Sequence, residues 1–112
     1  MKIRTLIIIS IVLIGVAQFS YSQPSDMPKF AKHESYSSIR EKMIKAGWKP
    51  YVSNDADTCF KGDSRCEGRP EMLACAGTGM ANCKFAWVKQ ENIIAICTVG
   101  EDAVFEGICS YP

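Results

Sequence analysis

The chain has 112 residues, with 13 Lys plus Arg against 12 Asp plus Glu, one histidine and six cysteines. Charges this evenly balanced and interspersed leave no footprint for a nucleic-acid backbone and no basic face for an anionic membrane, so both partner classes are disfavoured.

Lys2 and Arg4 open the chain, and residues 6–17 are almost unbroken Leu, Ile and Val. A charged start followed by about a dozen apolar residues is the pattern of a secretory signal peptide. The run is too short for a transmembrane helix, which needs roughly 20 apolar residues. Ser20 and Ser22 place small residues three and one positions before a cut at Gln23, so residues 1–22 are expected to be removed. Of the 112 residues, 90 would then remain, with 11 basic against 12 acidic once Lys2 and Arg4 are gone. The expected location is the periplasm or the extracellular space, without a membrane anchor.

Residues 23–34 carry Pro24 and Pro28 and no apolar period, which predicts a flexible lead-in. From residue 35 the pattern becomes helical: Tyr36, Ile39, Met43, Ile44 and Ala46 recur at helical spacing, with Arg40, Glu41, Lys42 and Lys45 on the other side. One of Ser35, Ser37 and Ser38 caps the start, Gly47 suits the closing left-handed turn, and Pro50 prevents continuation. Residues 48–52 (WKPYV) predict a short first strand that Pro50 confines to a sheet edge. Residues 53–70, rich in Asp, Asn, Ser and Gly, predict a loop that Cys59 and Cys66 would staple. Residues 71–75, 83–89, 93–99 and 103–111 read as antiparallel strands separated by AGTGMAN, QEN and GED, all turn-forming compositions. The predicted fold is α+β: residues 35–112 as one domain, an N-terminal amphipathic helix packed on a three- to four-stranded antiparallel meander.

A domain this small gains only a thin stability margin from its core, and an even cysteine count in a short exported chain reads as three disulfides. Cys75 and Cys83 flank a connection between adjoining strands and are within plausible bridging distance. Cys59 with Cys66 would close the Asp-rich loop. That leaves Cys97 with Cys109. If Gly100, Glu101 and Asp102 make the turn, Val99 faces Ala103 and Cys109 falls opposite Ile93, so a direct bridge needs a longer loop or a bulge. A rival set joins Cys109 to Cys59 or Cys66, and Cys97 to the other.

Several of these residues together make a pattern: Tyr36 with Ile39-Arg40, Gly47-Trp48-Lys49-Pro50, Pro70-Glu71, Cys75-Ala76-Gly77-Thr78-Gly79, Cys83, Phe85 and Trp87, then Thr98-Val99-Gly100-Glu101. In this the chain resembles a family of small exported bacterial proteins with a GWxP segment followed by a PE...CxGTG...CxFxW segment. The resemblance implies export and a single α+β unit, and it supplies no mechanism. The 59/66 loop and Cys109 stand outside that pattern.

Catalytic chemistry finds little to work with. The one histidine, His33, lies in the lead-in; paired cysteines leave no thiolate; and no Cys-x-x-Cys marks a redox or common zinc site. Glu71 and Glu101 are the available pair of carboxylates for a hydrolase. Asn54, Asp55, Asp57 and Asp63 do not follow calcium-loop spacing, and Gly77-Thr78-Gly79 lacks the lysine and following helix of a nucleotide loop. No catalytic residue, metal or cofactor is therefore expected. The expected function is that of a small, disulfide-stabilised binding module for another exported protein, of the inhibitor or immunity type; the alternative is an envelope accessory or structural protein. Trp48, Tyr51 and Tyr111, of types enriched where proteins grip proteins, are candidate contacts together with Asp55, Asp57, Arg65 and Arg69 of the stapled loop.

Overall fold

The computed structural model describes residues 27–112; the expected signal peptide lies outside these. The first element is helix α1, Tyr36–Lys45, capped by Ser35, whose side chain accepts the backbone N–H of Ser38. Tyr36, Ile39 and Met43 are buried on one stripe, three and four residues apart, and each such burial is worth about 1.5–3 kcal/mol. Ile44, one position round from Met43, leaves this stripe and is half exposed. Gly47 (φ 88°) follows the last turn, its N–H donating to Ile44 O while Trp48 N–H reaches back to Met43 O. This pair of bonds is a Schellman closure, and it drops Trp48 into the same core as Met43.

Among the described residues five strands form one antiparallel sheet: β1 (Lys49–Pro50), β2 (Met72–Cys75), β3 (Cys83–Lys89), β4 (Asn92–Val99) and β5 (Val104–Cys109). The α+β class and its three disulfides match the expectation; the sheet has one strand more than the upper count. The extra strand costs no extra column, because β1 and β2 share one side of β3 and pair with its two ends. Proline at the edge therefore holds for β1, although the strand covers only two of the five predicted residues.

Alternation along β3 explains the two faces of the sheet. Phe85 and Trp87 point at α1, with Ile96 and Ile94 opposite them on β4. Tyr36 stacks on Phe85 at 3.7 Å between centroids. Lys84, Ala86 and Val88 lie on the back face. The lead-in from Met27 is not a loose tail: Met27 and Phe30 pack on the core, Phe30 meets Phe105 at 5.2 Å, and Phe105 N–H donates to Glu34 O. Two apolar residues three apart are too sparse to register as a period.

The register of β4 with β5 resolves the cysteine difficulty. The turn takes four residues, so Val99 faces Val104, and a bulge at Glu106 then shifts Cys97 opposite Gly107 and Cys109 opposite Ala95. Both adjustments move Cys109 towards Cys97, and the two are bridged with their Cα atoms 6.0 Å apart. Cys59 is bridged to Cys66 and Cys75 to Cys83, leaving no free thiol; the rival pairings are absent.

Candidate functional site

At the interface of α1 with the sheet, Glu71 is fully buried. Arg40 Nε donates to its Oε1 at 2.7 Å and the Tyr36 hydroxyl donates to the same oxygen at 2.9 Å. Trp87 Nε1–H donates in turn to the Tyr36 oxygen at 3.0 Å. Burial foremost, with the Glu71 charge behind it, pushes the Tyr36 hydroxyl far above its ordinary pKa, while the Glu71 hydrogen bond holds Arg40 protonated. Every group is satisfied within the network, so this carboxylate is a tie between helix and sheet. Glu101 sits on the exposed turn between β4 and β5, beside a cavity that Glu71 does not line. The structure does not bring the two candidate hydrolase carboxylates together.

The stapled loop is held by more than its cysteines. The Arg65 guanidinium grips Asp63 with two bonds, 2.9 Å from Nε to Oδ1 and 2.6 Å from Nη2 to Oδ2. Its Nη1 reaches the carbonyls of Ala76 and Ala81 at 2.7 and 3.2 Å. Arg69 donates to Arg65 O and to Ser37 Oγ, and its cation lies 4.8 Å from the Tyr36 ring centre. The hydrogen bond from Arg65 lowers the Asp63 pKa and raises that of Arg65. Two residues expected at a partner surface are thus clamps: Arg65 joins the loop to the hairpin connection, and Arg69 joins it to α1. Trp48 is corrected likewise, being 2% exposed in the core. Asp63, taken by Arg65, is also unavailable to a cation beside Asp55 and Asp57.

The other expected contacts meet. Tyr51 and Tyr111 pack edge to face at 5.5 Å, and the Tyr111 hydroxyl lies 3.5 Å from Ser53 Oγ. Hydrogen bonding and charge from Tyr111 raise the Tyr51 pKa. Tyr111, Asp55 and Asp57 then line a groove of about 620 Å³ on the back of the sheet, with Leu73, Ala74 and Cys97 in its floor and Glu106 at its β5 side. Beyond the 53–57 segment lies a second concavity of about 610 Å³, lined by Val52, Asp57, Phe60, Lys61, Arg69 and Met72 among others.

Phe60 and Val52 in that concavity were missed by the sequence reading, yet they are 81% and 63% exposed. Phe60 begins a tight turn: Asp63 N–H donates to Phe60 O at 3.0 Å, and Gly62 takes φ 89° at the third position, as a type II turn requires. A lone phenylalanine inside a polar, cysteine-bounded loop was the available signal. Lys84 and Glu106 were missed because strand alternation names a face but not what flanks it.

Disulfides of this kind belong to an oxidising compartment, outside the cell or in the periplasm. No helix among the described residues is long and apolar enough to cross a membrane. Fold and cross-links together define a disulfide-stabilised α+β protein. Comparisons with family models, curated proteins and solved structures find no match.

Proposed function

We propose that the chain is an exported, non-catalytic binding module of the inhibitor or immunity type, which inserts the loop 59–66 into a cleft of another exported protein. One observation carries this reading: Phe60, an apolar side chain 81% exposed, stands on a turn fixed by the 59/66 disulfide and by the Arg65 clamp. A loop already held in one conformation loses little entropy on docking, and an aromatic anchor entering a dry pocket is where interface energy concentrates. Lys61, exposed at the next position, gives the anchor a cationic neighbour, so the matching cleft is apolar with an acidic rim.

The test is competitive capture from periplasmic or secreted fractions, followed by hydrolase assays on the captured protein. Phe60→Ala is expected to weaken capture by at least tenfold, as loss of an anchor side chain does, and to relieve any inhibition. A partner held equally well by wild type and by Phe60→Ala would refute the loop as the contact. An empty capture with wild-type protein would favour the envelope accessory reading.

A further inference from the structure

The groove on the back of the sheet shares Ser53 and Asp57 with the Phe60 concavity, but Phe60 does not line it and it has a chemistry of its own. Its floor crosses the sheet from Leu73 and Ala74 over the Lys84 stem to Cys97, which is bridged to Cys109. Asp57, whose N–H donates to Leu73 O, lies with Asp55 on the β2 side, Glu106 lies on the β5 side across β3 and β4, and Tyr111 also lines the groove. None of these three carboxylates enters an ion pair among the described residues. The one basic residue lining the groove, Lys84, directs its ammonium to the carbonyls of Ser110 and Pro112, each at 3.0 Å. Three carboxylates without an ion pair outnumber the single Lys84 cation, and with apolar floor residues and an aromatic ring beside them they are complementary to a cationic side chain on an apolar stem.

The backbone limits how such a ligand binds. Asp57 N–H donates to Leu73 O at 2.8 Å, occupying that acceptor on the outer edge of β2, so recognition by added strand pairing is blocked at Leu73 and side chains must carry it. A volume of about 620 Å³ lies within the about 300–1,000 Å³ range of ligand clefts, the scale of a short segment rather than of a folded partner.

We infer that this groove binds an extended peptide segment bearing an arginine or lysine, its cation placed between Asp55, Asp57 and Glu106 and its aliphatic stem laid on the floor formed by Leu73, Ala74 and the Cys97 bridge.

The probe is the peptide acetyl-Ala-Leu-Arg-Leu-Ala-amide, titrated into the full isotope-labelled protein while amide resonances are followed. Shifts are expected at Ala74, Ala76, Lys84, Cys97 and Glu106, strengthening as salt is lowered. The same peptide with Glu in place of Arg is expected to give none. Asp55→Asn/Asp57→Asn/Glu106→Gln, all exposed changes that break no ion pair, is expected to keep the remaining spectrum and weaken binding at least tenfold. Glu106→Gln alone should give a smaller loss, and Phe60→Ala none, which separates this site from the loop. Silence with the arginine peptide, equal binding of the glutamate peptide, or indifference to the triple variant would each overturn the inference. So would sedimentation showing self-association that the triple variant abolishes, since the occupant would then be a second copy of the chain.

Discussion

The helix side of the molecule and the loop 53–70 solve the same stability problem by different means. Under α1, Tyr36, Ile39, Met43, Phe85, Trp87 and Ile96 are removed from water almost completely, and the buried Glu71 carboxylate is matched by Arg40 and by Tyr36, whose hydroxyl oxygen in turn accepts from Trp87. The loop buries little: apart from Cys66, residues 53–70 are partly or fully exposed, and they are held by a disulfide and by arginine-to-carbonyl bonds. A segment stabilised covalently and by hydrogen bonds need not hide its apolar residues, which is how Phe60 can remain in solvent. The half built on packing has no such freedom.

Glu71→Ala should separate the two regions most sharply. It leaves the Tyr36 hydroxyl and the Arg40 guanidinium without their acceptor, and unfolding by denaturant should show a loss of about 3 kcal/mol, at the low end for a buried pair because Arg40 is 29% exposed and can recover some hydration. A loss near zero would mean that the polar network is not a tie. The double change Cys59→Ser/Cys66→Ser should cost about 2 kcal/mol, short loops giving the smaller disulfide effects. Amide exchange should accelerate across residues 57–69 and stay slow in α1 and β3; equal acceleration in both would show the two regions to be one cooperative unit.

Acid lowers stability on both sides, since Asp63 also has a lowered pKa, but a Glu34 variant confines the test to the helix side. The hydrogen bond from Lys42, with those from Ala31 N–H and Ser38 Oγ, lowers the Glu34 pKa from 4.5 to about 2. A depressed folded-state value contributes stability that is complete above pH 4.5 and lost as pH falls towards about 2. The melting-temperature gap between wild type and Glu34→Gln should therefore be constant at neutral pH and close across that window; a gap that does not change with pH would remove Glu34 from the account. The smallest effect is expected for Phe60→Ala, within about 0.5 kcal/mol of wild type in chemical unfolding, because an exposed side chain has little packing to lose. A larger loss would show that Phe60 is held by the fold rather than displayed by it.

The helix, the presence of a serine cap though not which serine, its closure at Gly47 and the β3 strand were legible because each depends on neighbours a few residues away: periodicity, cap chemistry and turn residues are local. So was the presence of staples in the loop, since a polar segment between two cysteines cannot build a core. The candidate site was less legible. Asp55, Asp57 and Tyr111 do gather at one groove, with Tyr51 packed on Tyr111, but Trp48, Arg65 and Arg69 were drawn inward by partners that sequence distance conceals: Met43 and the rest of the core, Ala76 and Ala81, and Ser37 with Tyr36.

By itself the sequence determined where the helix and the four later strands lie and that six cysteines must pair within 90 residues after the expected signal peptide, because those follow from composition and short-range pattern. Tertiary structure decided the register. One added turn residue and one bulge at Glu106 bring Cys109 into reach of Cys97 and put a carboxylate at the rim of the groove. Strand pairing allows such slips at little local cost, so only the closed sheet, with its helix face buried, selects among them.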